Sequence, residues 1–341
     1  MQELQSDIVV TVTRGPLTES MHRGHIAVVD IHGELQAFTG NPDYYGFIRS
    51  TAKPLQAIPL AESNAWHRLG LSAEQTALLC ASHNGEDEHT AAALSILQQL
   101  SLDVSALQCG IHEPFYKPAA DALKRQGSEP TPLHNNCSGK HAGMLALSTA
   151  IGASIQQYTS LDHPVQQKML QTVSEMSGMA VQDIRIGTDG CGVPVFAMPL
   201  SALAYAYARL GDPRHLSPER AGACRTLLTA MQKVPFYVAG SERYDTLLAK
   251  ATHGRIIGKM GAEAVYAATV PERGLGIAVK IEDGHPRALY PAITEALAQL
   301  GLLTGEELSE LAEFHRPAVR NHRGEEVGRI EPVFRLHTPK E

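Results

Sequence analysis

The chain has little positive charge to spare. Against 36 acidic residues it carries 29 Lys and Arg, a formal net charge of -7 at pH 7, and no basic run or aromatic-basic stripe breaks that balance. Such a surface excludes nucleic acid as the main partner. The five cysteines are an odd number, spread from Cys80 to Cys224, and suit reduced thiols rather than a disulfide framework. No apolar stretch approaches membrane-spanning length. The first residues, Met1-Gln-Glu-Leu-Gln-Ser-Asp, lack the basic start and apolar core of a secretory signal. Internal repeats, low-complexity tracts and long linkers are also missing. These absences predict a soluble cytoplasmic protein of one domain, 1–341.

Patterning supplies the fold class. Alternating β-branched segments at 8–14, 25–31 and 33–39 predict an antiparallel meander. From about 52 to 178 the pattern is mainly helical, with candidates at 52–67, 73–81, 87–100, 139–152 and 164–178. A strand near 182–188 leads into a glycine-rich turn, and helices follow at 199–210, 217–232 and 241–252. Strands return at 254–259, 264–270, 275–281 and 328–335, with amphipathic helices within 286–313. Strands at both ends and helices between predict an α/β chain of the α+β type: an antiparallel sheet flanked by helices, with a helical lobe (about 52–178) inserted in it.

Three motifs follow one another: Ser50-x-x-Lys53, Ser82-x-Asn84 and Lys259-x-Gly261. They are the groups a serine acyl hydrolase needs when lysine activates the hydroxyl. A helix starting after Ser50 would put Ser50 and Lys53 on one face of its first turn, within reach of the helix dipole; Ser50 as a plain N-cap is the structural alternative. Asn84 could orient a substrate amide, or belong to an ordinary Asn-Gly turn. Lys259 could project across a sheet edge into a site, or merely blunt that edge. Asp87, Glu88 and His89 look like metal ligands, but a helix beginning at 87 explains acidic residues there. In His134-Asn-Asn-Cys-Ser-Gly-Lys-His141, a helix from Ser138 would gather Cys137, Lys140 and His141 on one side. Cys191, between two glycines, could add a second thiolate to make a zinc site, with buried reduced cysteines as the other reading. Asp189, in the turn before it, could hold a substrate ammonium or bond its own backbone.

Together, Arg49-Ser-Thr-Ala-Lys-Pro54, Cys80-Ala-Ser-His-Asn-Gly85, His134 to His141, Gly187-Thr-Asp-Gly-Cys-Gly-Val-Pro194 and Lys259-Met-Gly-Ala-Glu263 resemble the signature blocks of the Rhizobium-etli-type L-asparaginase II family, the class 3 asparaginases. The likeness runs from about 8 to 335, with Ala264 standing where a glycine is expected. The resemblance implies hydrolysis of L-asparagine to L-aspartate and ammonia by a homodimer whose fold is similar to glutaminases and serine β-lactamases. It implies two tandems, Ser50 with Lys53 and Ser82 with Lys259. It also implies zinc on Cys137, Lys140 and Cys191, no organic cofactor, and Arg49 and Asp189 lining the substrate site. Spacing leaves the choice of nucleophile open, and the helix-start position favours Ser50. A glutaminase or β-lactamase-like hydrolase is the neighbouring alternative, and a zinc-stabilised binding protein without turnover the alternative of another class.

Overall fold

The computed structural model describes residues 6–339, and these resolve into two compact units, one of 6–51, 198–212 and 247–339, the other of 52–197 and 213–246. Eleven strands occur among the described residues: β1 (Asp7–Arg14), β2 (Leu17–Asp30), β3 (Leu35–Thr39), β4 (Tyr45–Phe47), β5 (Arg185–Thr188), β6 (Pro194–Pro199), β7 (Ile257–Gly261), β8 (Val265–Val270), β9 (Leu275–Ile281), β10 (Ala318–Arg320) and β11 (Glu326–Pro332). No helix among the described residues is long and apolar enough to cross a membrane.

The first unit is built on an eight-stranded sheet in the order β10-β11-β1-β2-β9-β8-β7, with β3 paired to β2. Every pairing is antiparallel, and strands from both ends of the chain meet where β2 pairs with β9, His25 opposite Lys280 and Ala27 opposite Ala278. The expected sheet is therefore present. β2 is longer than its alternating stretch suggested, because its polar first half pairs with β1 and only its apolar second half, Ile26–Val29, is core.

β8 and β9 are buried along nearly their whole length, which an antiparallel strand achieves only when both faces are covered. One cover is the helix Leu200–Gly211, packed on β2, β8 and β9; the other is Pro286–Gln299, packed on β1, β9 and β11. Glycine permits the closest approach: a Cβ at Gly276 would strike the backbone of Ala204 and Ala208.

The second unit is mainly helical. Its central element, Ser138–Ala150, is buried from Ser138 to Ser148, the signature of a helix enclosed on all sides. It packs against Lys53–Ala61, Ala73–Leu79, Asp87–Gln99 and Pro164–Ser177. The expected single helix over 52–67 is two, Lys53–Ala61 and Asn64–Leu69, separated at Glu62 and Ser63. A further helix, Lys117–Arg125, is not expected from the sequence: its apolar face is only Ala119, Ala120 and Leu123, between the exposed Lys117, Lys124 and Arg125. β5 and β6 form a hairpin, with Gly187 opposite Val195.

Gly139 lies where the central helix crosses Ala73–Leu79, and a Cβ there would strike the Leu78 carbonyl. Gly222 sits inside the helix Pro218–Lys233 with open space around it. Gly139→Ala should therefore destabilise the protein by about 3 kcal/mol, and Gly222→Ala should stabilise it by about 1 kcal/mol. Urea-unfolding midpoints measure both; equal shifts in one direction would contradict this packing.

Candidate functional site

Lys53 opens a buried helix, with Pro54 in the first turn, where the missing amide costs nothing. Its side chain is 1% exposed. Nζ donates to Ala81 O at 2.7 Å and Ser82 Oγ at 2.8 Å, with Asn136 O and Oδ1 both at 3.4 Å. An ammonium has three donors, and this cage supplies acceptors for all of them. Burial pushes the Lys53 amine below its ordinary pKa, further helped by Lys140, while the Cys137 and Cys191 sulfurs oppose that shift.

Ser82 lies in Ala81–Glu86, a run without regular structure that is buried throughout. Ser82 N–H donates to Val238 O at 3.0 Å, and His83 N–H to Asn136 O at 3.3 Å. Gly85 N–H donates to His83 Nδ1 at 3.1 Å, so the ring proton sits on Nε2, which meets Ser138 Oγ at 2.9 Å. Asn84 Nδ2 donates to Ser241 O at 2.9 Å and Glu86 Oε1 at 3.2 Å, while its Oδ1 accepts from Arg243 at 3.0 Å. The amide that sequence reading offered to a substrate is thus already engaged by the protein.

The Cys137-Ser-Gly-Lys140 segment enters the central helix, and Cys191 arrives from the turn between β5 and β6. Lys140 Nζ stands 3.1 Å from Cys191 Sγ, and the thiol of Cys191 hydrogen-bonds to Cys137. The contact with Cys191 pulls Cys137 below the usual thiol pKa against its burial, while the same contact and burial raise Cys191. Burial opposes charge on Lys140, but Cys137, Cys191 and Asp189 outweigh it and raise its pKa. Among the described residues no group of three or more His, Cys, Asp or Glu side chains could hold a metal. A zinc ion here would take Cys137, Cys191 and the Lys140 amine, and two buried sulfurs with an amine converging on them fit that ion's preference. His89 is not part of such a cluster: its Nδ1 accepts from Glu86 N–H and its Nε2 donates to Phe236 O. Asp189 is half-buried in its turn, where Oδ1 accepts from Gly190 N–H at 2.9 Å. Cys109 is buried and its thiol is pushed up to about 12 by desolvation, which leaves it inert.

In the first unit, Arg49 and Ser50 occupy a 3-10 turn, Arg49–Ala52, and are half-buried. Arg49 has φ +48°, a left-handed conformation unusual for a non-glycine residue. The turn is anchored where Tyr207 Oη donates to Thr51 O at 2.8 Å. A Cβ on Gly261 would meet Ile48 O at 3.1 Å and Arg49 Cβ at 3.3 Å, so the end of β7 lies against this turn. Lys259 on β7 is fully buried, with Nζ donating to Met260 O at 2.8 Å. It does not serve as an exposed edge lysine. Ala264 has φ +51°, which is why a glycine suits this position.

Within one unit the structure brings together Lys53, Ser82, Cys137, Lys140 and Cys191, and within the other it sets Arg49 and Ser50 beside the strand of Lys259. The two expected tandems each take one residue from each unit. Glu86, Asn136 and Arg243 escaped sequence reading, since partners this distant in the chain leave no local spacing.

Burial holds His83 neutral, well below its usual pKa of 6.5. The folded value lies under the unfolded one, so this contribution to stability is complete above about pH 6.5 and is lost as pH falls. His83→Gln should remove up to about 1.4 kcal/mol per pH unit from the acid-side slope of stability. Urea midpoints between about pH 7 and about pH 5 test this, and an unchanged slope would contradict it.

A search of curated proteins returned no match. Among solved structures, Mglu in its native form at high salt is 14% identical, with 84% of this chain and 63% of that chain covered and a TM-score of 0.47. Mglu in its glutamate form is 13% identical, with 82% and 61% covered and a TM-score of 0.48. A β-lactamase from Mycobacterium bovis is 15% identical, with 86% and 95% covered and a TM-score of 0.41. The chain thus spans less than two thirds of these two Mglu chains. The family profile described as L-asparaginase II matches residues 10–332. That match takes in every residue of the site, and the chain belongs to the L-asparaginase II family of amidohydrolases.

Proposed function

We propose that this amidohydrolase converts L-asparagine to L-aspartate and ammonia through an acyl-enzyme, with Ser50 as nucleophile and Lys53 as its base. Family membership supports the reaction class. The observation that carries the Ser-Lys chemistry is the 2.8 Å hydrogen bond between Lys53 Nζ and Ser82 Oγ in a buried cage of carbonyl oxygens. A lysine so placed can take a proton from an attacking alcohol and pass it through the Ser82 hydroxyl to the departing ammonia. Water then cleaves the aspartyl ester by the reverse relay.

The remaining assignments follow the resemblance. Lys259 pairs with Ser82 as the second proton carrier, and Arg49 and Asp189 line the substrate site, with the Asp189 carboxylate placed in a turn from which it can hold the substrate ammonium. Asn84, held by Glu86, Ser241 and Arg243, keeps the serine segment in place for the substrate. Zinc on Cys137, Lys140 and Cys191 would supply a Lewis acid that orients and polarises substrate oxygen. The enzyme acts as a cytoplasmic homodimer in this reading.

The purified protein should release ammonia from L-asparagine, faster than from L-glutamine, and should leave a β-lactam intact. Ser50→Ala and Lys53→Met should each lower turnover by about 10³ or more, and Ser82→Ala by about 10² to 10⁴, with circular dichroism showing that each variant still folds. A folded protein that binds asparagine and never consumes it would overturn the enzyme reading. Elemental analysis of protein prepared without chelator should find about one zinc per chain, lost in Cys137→Ser. Metal-free protein with full activity would remove zinc from the account.

A further inference from the structure

Ser82 lies in a buried segment that cannot satisfy its backbone through helix or sheet, so its position depends on partners from elsewhere. One set comes from 238–243. Val238 O accepts from Ser82 N–H at 3.0 Å, and Arg243 donates to Ser82 O at 3.4 Å and Asn84 Oδ1 at 3.0 Å.

That supporting segment is itself strained. Glu242 has φ +60°, a left-handed conformation that a non-glycine residue keeps only when surrounding contacts impose it, beside Gly240 at φ +114°, where glycine alone fits. The imposing group is Glu86, a carboxylate 8% exposed. Its Oε1 accepts from Ser241 N–H at 2.8 Å and from Asn84 Nδ2 at 3.2 Å, and its Oε2 accepts from the Ser241 hydroxyl at 2.7 Å. The two segments touch so closely that a Cβ on Gly240 would lie 2.6 Å from Asn84 Nδ2 and would also strike Glu86 Oε1. Thr246 Oγ1 closes the loop by donating to Gly240 O at 2.8 Å.

We infer that Glu86 is a positioning residue whose carboxylate clasps Ser241 and, through the strained 239–243 segment, fixes the Ser82 hydroxyl against Lys53. The buried carboxylate is costly to desolvate, and three hydrogen bonds offset that cost only while the clasp is closed. Once open, the segment relaxes toward ordinary backbone angles and withdraws Val238 O and Arg243 from Ser82. The proton relay then loses its alignment, where a displacement near 1 Å costs about 10²-fold in rate. This inference rests on the proposed roles of Lys53 and Ser82.

Steady-state kinetics of ammonia release from L-asparagine test it with the wild-type protein, Glu86→Gln, Ser241→Ala and the double variant. The clasp predicts kcat lowered about 10 to 100-fold in Glu86→Gln and about 10-fold in Ser241→Ala, with KM within about threefold. The double variant should be no slower than Glu86→Gln alone, because both changes open one clasp. Unfolding midpoints and circular dichroism confirm the fold, and Ser241→Ala decides the matter if Glu86→Gln fails to fold. Active wild-type protein with undiminished kcat in the variants, or with single effects that multiply in the double variant, would overturn the inference alone. A wild-type protein that releases no ammonia would bring down the proposed function first and the inference with it.

Discussion

A lysine amine enclosed by protein must be given acceptors, a lower proton affinity, or both. Lys53 receives both: Ala81 O, Ser82 Oγ and Asn136 take its hydrogen bonds, and burial lowers its pKa. A single cage thus ties the first turn of Lys53–Ala61 to the irregular 81–86 segment and to the entry of the central helix. Opening any side of it would leave a buried donor unsatisfied, at about 1 to 3 kcal/mol or more for a charged group. The arrangement is therefore stable only as a unit, which is also what a proton relay requires.

The packing of the second unit explains how three stretches of chain reach one amine. Gly139 and Gly143 let the central helix approach Leu78 and Leu79, the last residues before the Cys80-Ala-Ser82 exit. Larger residues there would push Cys137 and Lys140 away from Ser82. The same helix start places Ser138 under His83, whose Nε2 proton points at the serine hydroxyl while that hydroxyl donates to Leu133 O. Neutral histidine is the only form that satisfies both ring nitrogens here, and burial enforces it.

Much of this was readable from the residues. Alternating strands at the two chain ends announced the sheet, since a period of two survives without knowledge of partners, and the Ser-x-x-Lys and Lys-x-Gly motifs marked positions that proved to be buried lysines. Expecting glycine at Ala264 agrees with its left-handed backbone. Long-range pairing was less accessible. Lys53 bonds to Ser82, 29 residues away, and Glu86 to Ser241, 155 away, distances over which no local periodicity operates. The break at Glu62 was hidden as well, because Pro59 lies inside the helix and the turn at 62–63 carries no glycine.

The central claim is that Ser50 attacks while the Lys53–Ser82 pair moves the proton. Acid quench during turnover of L-asparagine, followed by peptide mapping with mass spectrometry, tests it most directly. The account predicts an aspartyl adduct on the peptide containing Ser50. An adduct on the peptide containing Ser82 would contradict it, by showing that the hydroxyl bonded to Lys53 is itself the nucleophile.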